Sequence, residues 1–227
     1  MQQMNHELTV HALLDLTKTV AADIFEGLVY PWEALPKISE FILKLGAALP
    51  KDEYIQKDDN IWIAKSASVA ESAYLHGPLI VCPEAEIRHC AFIRGSAIIG
   101  RGAVIGNSTE LKNCIIFDKA QVPHYNYIGD SILGFQAHLG AGAITSNLKS
   151  DRSMVTVRRE DEKLSTELKK FGAIVGDHVE VGCNSVLNPG TVIGRNATVY
   201  PLSMVRGVVP SDSIYKKQGE VAEKVYE

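Results

Sequence analysis

The stretch I-W-I-A-K-S-A-S-V-A-E-S-A-Y-L-H-G-P-L-I-V-C-P-E-A-E-I at 61 to 87 places an aliphatic side chain at every sixth position: Ile63, Val69, Leu75, Val81 and Ile87. The spacing continues through Ile93, Ile99, Ile105 and Leu111 to Phe117. Helices repeat about every 3.6 residues and strands every 2, so neither needs this period. A period of six fits a chain wound round a three-sided prism, with one hexapeptide per face and eighteen residues per coil. Small residues recur four positions after most of the aliphatics, at Ala67, Ala73, Ala85, Ala91, Ala97 and Ala103, where a tight corner leaves little room.

The phase resumes at Val175, Val181, Leu187, Ile193, Val199 and Val205. From Phe117 to Leu139, through Leu133, the spacing is 22 residues where four hexapeptides require 24, so two residues are lost, around Pro123 to Asp130. Residues 146 to 172 then leave the prism as a long inserted loop. The expected fold is mainly β: a parallel β-helix of hexapeptide repeats over 51–210, preceded by a helical segment over 1–50 and followed by a charged tail or short helix over 211–227.

In the first 50 residues the period changes. Leu13, Leu16, Val20 and Ile24 recur at helical spacings, as do Ile38, Phe41, Ile42 and Leu45, which predicts two amphipathic helices. Pro31 and Pro36 punctuate their link, and Gly46 with Pro50 ends the second. A β-helix exposes unpaired backbone at its ends, so this helical hairpin is expected to cap one end, with a docking arm for another protein as the alternative.

With 227 residues, 46% of them hydrophobic, the chain can bury a sizeable core. A formal charge of −4 gives no global basic footprint for nucleic acid, and no apolar run reaches the roughly 18 residues of a membrane span. Cys82, Cys90, Cys114 and Cys183 form no C-x-x-C pair, and no charged-then-apolar leader is evident. These features predict a soluble, cytoplasmic chain with reduced thiols.

The coil length converts sequence distance into position, because residues eighteen apart stack on successive coils about 4.8 Å apart. His76, Arg94 and Lys112 therefore form one outward column. Two full charges at that separation repel by about 1 to 3 kcal/mol, and a shared phosphate or carboxylate reverses the sign. A solvated basic ridge is the plainer reading.

Four stretches carry a resemblance: F-I-R-G at 92 to 95, E-L-K-N at 110 to 113, P-H-Y-N-Y-I-G-D at 123 to 130 and L-G-A-G-A-I-T-S-N at 139 to 147. Together with K-K-F-G-A-I-V-G-D at 169 to 177, they resemble the acetyltransferase domain of bifunctional UDP-N-acetylglucosamine pyrophosphorylase/glucosamine-1-phosphate N-acetyltransferase. Similar β-helices end other sugar-1-phosphate nucleotidyltransferases. The resemblance implies a left-handed β-helix, an N-acetyltransferase using acetyl-CoA as co-substrate on an amino-sugar phosphate, and a homotrimer with shared active sites.

By the same resemblance, His124 is the base that deprotonates the amine as its nitrogen attacks the thioester, a task suited to imidazole. Glu110 matches a carboxylate near that histidine, where it would fix the ring's tautomer. Arg94 and Lys112 match residues holding the sugar phosphate, Tyr127 and Asn147 match contacts to the sugar, and Lys170 aligns across a gap with a lysine near the substrate. Gly140, Ala141 and Cys183 fall where the coenzyme approaches, and a backbone N–H in Gly140-Ala141-Gly142 would stabilise the oxyanion.

The sequence also departs from the family. His138 stands where the family has asparagine, Leu148 where it has tyrosine, and Cys183 where it has serine. The segment from Ser150 to Lys170 is longer than the family loop, and its M-V-T-V-R-R-E-D-E-K-L has the pattern of a hairpin arm that closes over a site or clasps a neighbouring subunit. Only the two expected helices precede the prism, without a glycine-rich phosphate loop, so uridylyl transfer is expected of a separate nucleotidyltransferase.

Two other readings stand beside the enzyme. One is a non-catalytic trimeric scaffold or regulatory partner of a sugar-1-phosphate nucleotidyltransferase. The other is a γ-type carbonic anhydrase, which shares the prism but binds a metal through histidines. Its H-x4-H spacing occurs only at His6 and His11, outside the prism, so no metal ligands are assigned.

Overall fold

A computed structural model of the chain describes residues 6–159, 162–217 and 220–225. The hexapeptides wind into a solenoid of about eight turns whose inward aliphatic side chains stack in three columns. On the first wall, Ile63, Val81, Ile99, Ile116, Leu133, Val175, Ile193 and Val209 lie in register on successive parallel strands. The second wall carries Val69, Ile87, Ile105 and Val122, and further along Leu139, Val181, Val199 and Tyr215. The third carries Leu75, Ile93, Leu111, Ile128, Thr145, Leu187 and Val205.

The register corrects the sequence reading at one point. Ile116, not Phe117, pairs with Ile99 and faces inward. Phe117 turns outward and packs against Phe25, ring centroids 6.1 Å apart. The two missing residues are therefore lost separately, one between Leu111 and Ile116 and one between Ile128 and Leu133. Both shortened corners use a left-handed residue, Asn113 at φ 50° and Asp130 at φ 47°, types whose short polar side chains tolerate that conformation.

The first wall is apolar on both faces. Trp62, Ile80, Ile98, Ile115, Ile132, Ile174, Val192 and Val208 point away from the prism axis and are covered by the rest of the chain. Over the early coils the cover is the helix Ile38–Ala48, which buries Ile38 and Ile42. Gly46 lets that helix approach, since a Cβ there would fall 2.3 Å from the Trp62 ring.

The first of the two expected helices does not form. A helical turn, Val10–Leu13, is followed by the 3-10 segments Leu16–Lys18, Ala22–Phe25 and Pro31–Lys37. Asp15 accepts the Thr17 N–H and Thr19 Oγ1 accepts the Ala21 N–H, local bonds that compete with helix continuation. The segment runs as a strap along the first wall, from Ile80 to Asp177, instead of capping an end. The edges are met by antiparallel strands: Tyr54–Asp58 on Ile61–Ala64, and Glu220–Glu223 on Ser213–Lys217. The expected tail or helix after 211 is thus a strand pair, with residues 218, 219, 226 and 227 outside the described residues.

The inserted loop is the expected hairpin, Val155–Arg159 against Glu162–Leu168. It folds back on the first wall, burying Val155, Val157 and Leu164 over the later coils. Gly190 and Gly207, at φ 80° and 84°, admit it: a Cβ at either would sit 2.7 Å from the Thr156 carbonyl oxygen or 2.6 Å from that of Arg158. Arg159 reaches Glu7 of the strap at 2.7 Å, so the two covers meet. No helix of the described residues is long and apolar enough to cross a membrane.

Asp177 pins the strap to the prism. Its carboxylate accepts the Asp15 N–H at 2.7 Å and the Phe135 N–H at 2.8 Å and pairs with Arg195 at 3.1 Å. Burial pushes its pKa up despite these partners. Asp177→Ala leaves the two amides and the guanidinium unmatched and is expected to destabilise the fold by about 2 to 3 kcal/mol in urea denaturation. Unchanged stability would show the strap to be held elsewhere.

Candidate functional site

The outer face of the third wall gathers five of the expected site residues. Arg94, Glu110, Lys112 and Tyr127 alternate with the inward Ile93, Leu111 and Ile128 on three stacked strands, and Asn147 follows at the next corner. Tyr127 lies over Gly129, where a Cβ would fall 2.5 Å from its hydroxyl, and Asn147 Nδ2 donates to that hydroxyl at 3.3 Å. The missing side chain at 129 is what makes room for the phenol. Burial raises the Tyr127 pKa, the Glu110 and Asp130 carboxylates raise it further, and Arg94 and the Asn147 bond oppose them.

The two cations do not form a free column. His76 is in register with Arg94, but Arg94 Nε pairs with Glu110 at 2.9 Å and Lys112 Nζ with Asp130 at 3.0 Å. Two cations face two carboxylates, so the shelf has no formal net charge and the repulsion expected from stacking is already relieved. Asp130, absent from the sequence assignment, also accepts from Asn113 Nδ2 at 2.9 Å and from Asn147 Nδ2. Its signal was present in the sequence: a glycine-aspartate pair where a face is one residue short.

A second group stands at the corner between the second and third walls. The His124 carbonyl accepts the Gly142 N–H, that of Ala141 accepts Asn184 N–H, and that of Cys183 accepts Leu202 N–H. This repeated bond puts His124, Ala141 and Cys183 in one column on consecutive coils. Gly140 and Gly142 spend their N–H groups on Val181 and His124, while the Ala141 N–H has no acceptor among the described residues. Buried Asn126 braces the corner, accepting the His124 N–H at 3.1 Å and donating to the Gly140 and Ala143 carbonyls. Sequence reading passed over it because its work is with backbone.

Other assignments meet differently. Glu110 is engaged by Arg94 and does not hold the His124 ring, which is exposed and has no hydrogen-bond partner among the described residues. Exposed Lys170 stands at the neck of the hairpin, bridged to Leu148, with Phe171 N–H donating to the Asn147 carbonyl. His138 lies on the second wall with Nδ1 2.7 Å from Glu180 Oε2, so it does not join the shelf. Among the described residues no group of three or more His, Cys, Asp or Glu side chains gathers as a metal site.

The fold is that of a hexapeptide-repeat solenoid, with a polar shelf on its third wall. A family profile described as the GMPPB C-terminal domain matches residues 75–181. An uncharacterized acetyltransferase, YaiX, from Escherichia coli is 30% identical over 203 residues, covering 82% of this chain and 87% of its own length. The bifunctional protein GlmU of Methanococcus aeolicus is 37% identical over 129 residues, 56% of this chain and 31% of that protein. GlmU of Methanococcus maripaludis is 30% identical over 198 residues, 86% of this chain and 48% of that protein. A solved structure, the acetyltransferase domain of PglB from Neisseria gonorrhoeae, matches with a TM-score of 0.39 at 15% identity, over 78% of this chain and 62% of that one. The chain belongs to the GlmU-like family of acetyltransferase β-helix domains. It spans about a third to a half of the length of the bifunctional relatives.

The Tyr127 environment gives a prediction independent of turnover. In a spectrophotometric titration against Tyr127→Phe, this phenol is expected to keep its proton above the ordinary phenol range. Glu110→Gln should bring its pKa down and Asn147→Ala should push it up. An ordinary titration in all three proteins would refute the described shelf.

Proposed function

We propose that the chain is an acetyl-CoA-dependent N-acetyltransferase whose acceptor is an amino sugar carrying a phosphate, as in glucosamine 1-phosphate. One observation carries the reading: the column of His124, Ala141 and Cys183 borders the wall face that bears Tyr127, Glu110, Arg94 and Lys112. A base, a free backbone donor and a set of sugar-sized polar contacts thus adjoin. The acetyltransferase relatives support the same chemistry.

In this mechanism the acceptor's phosphate takes Arg94 and Lys112, displacing Glu110 from the guanidinium and freeing it to turn toward His124. Tyr127 and Asn147 hold the sugar hydroxyls, and Lys170 approaches from the hairpin neck. The amine nitrogen attacks the thioester carbonyl carbon while His124 takes its proton, and the Ala141 N–H stabilises the oxyanion. Collapse breaks the carbon–sulfur bond, the His124 imidazolium returns its proton to the departing thiolate, and a thiol and an amide result. Gly140 and Cys183 flank the acyl end of acetyl-CoA. A homotrimer would let a neighbouring prism close over the open shelf, in keeping with the resemblance.

The test is thiol release from acetyl-CoA with glucosamine 1-phosphate and related amino sugars. His124→Ala is expected to lower kcat by about 10²- to 10⁴-fold. Turnover equal to wild type would remove His124 as the base. No release with any amino sugar, and no coenzyme binding, would favour the non-catalytic scaffold.

A further inference from the structure

The hairpin does more than cover the wall. Between it and the prism lies a cleft of about 360 Å³, lined from the hairpin by Thr156 and Arg158, from the prism by Arg206, and from the hairpin neck by Lys149, Ser150 and Asp151. Three cations face one carboxylate there, a formal charge of +2 in a chain of net −4. Lys149 is 3.6 Å from Asp151. Arg158 and Arg206 have no ion-pair or hydrogen-bond partner among the described residues, unlike Arg94, Arg101 and Arg195, each of which holds a carboxylate.

The backbone brings the two arginines to one place, and their surroundings leave them uncompensated. Gly207, next to Arg206, has so little clearance that a Cβ there would meet the Arg158 carbonyl oxygen at 2.6 Å, so the two arginine backbones are in contact. Within the hairpin, Arg158 sits directly opposite Lys163, whereas its neighbour Arg159 sits opposite Glu162 and pairs with Glu7. Like charges directly opposite on one face are destabilising, and among the described residues neither Arg158 nor Arg206 has a carboxylate partner to offset its charge. A bound anion would supply one. Paired guanidinium forks from two elements, with the hydroxyls of Ser150 and Thr156 beside them, suit the oxygens of a phosphoryl group.

We infer that this cleft is a second anion site, separate from the shelf, that takes the phosphoryl group of a small phosphate ester or anhydride. Its charge contrasts with the neutral shelf, and it is built by an insertion that the family resemblance does not include. The inference holds whether or not the shelf performs acetyl transfer.

Calorimetric titration of the full chain with inorganic pyrophosphate at low salt tests it. Wild type is expected to bind. The double variant Arg158→Ala/Arg206→Ala should bind about 100-fold or more weakly, since a hydrogen bond to a charged group is worth about 1.5 to 3 kcal/mol. Both side chains are exposed, so the variant should keep the wild-type melting temperature, and Arg158→Lys/Arg206→Lys should fall between the two. Arg94→Ala/Lys112→Ala should leave pyrophosphate binding in place. No binding by wild type would overturn the site, as would loss in the shelf variant with retention in the cleft variant. Competition separates the sources: displacement by uridine diphosphate supports a nucleotide-bearing ligand, and displacement by coenzyme A but not dephospho-coenzyme A supports the coenzyme's 3′-phosphate. Displacement by none of these overturns a role in binding either ligand.

Discussion

Asp130 is the tie on which the arrangement depends. Its side chain, 5% exposed, accepts from Lys112 and Asn113 on the preceding coil and from Asn147 on the following one. Its own carbonyl accepts the Gly172 N–H at 2.8 Å, where the chain returns from the hairpin. A carboxylate in a poorly solvated corner is costly unless such donors surround it. Here those donors are, or adjoin, the residues that form the shelf. The same contacts that satisfy the charge orient Lys112 and Asn147 and set the start of the inserted arm.

The second constraint is that the first wall is dry on both faces. A stacked sheet with an apolar outer face must be covered, and the chain supplies two covers, the strap before the prism and the hairpin within it. Burying an outer Ile or Val contributes about 1.5 to 3 kcal/mol, and seven of the eight outer positions carry one, enough to fix both segments firmly. The second and third walls are left to carry the polar groups. The proposed acceptor shelf accordingly lies on the third wall, and the cleft arises where the hairpin cover meets the prism.

The winding was legible because inward positions repeat with a period that tolerates few exceptions. Two things were not. Counting forward from Leu111 in sixes makes Phe117 look inward, and only the five-residue faces ending at Ile116 and Leu133 reveal that it packs outward on Phe25. The doubly apolar wall also left a trace that the six-residue count ignores: Ile80, Ile98, Ile115 and Ile132 each precede an inward aliphatic by one, on every third face. Read that way, the strap's position along the wall follows. The apolar spacing of Leu13, Leu16, Val20 and Ile24 suited a helix, but Asp15 and Thr19 bind nearby backbone and break it. The motif singled out the residues that the third wall gathers, but not their pairing, since Glu110 and Asp130 neutralise the cations across strands that only the register brings together.

The most direct measurement is urea denaturation of Asp130→Ala beside wild type. Removing the buried carboxylate while its half-buried donors remain should cost about 2 to 3 kcal/mol, because Lys112, Asn113 and Asn147 lose their common acceptor. A loss below about 0.5 kcal/mol, the size of an ordinary surface change, would contradict the account.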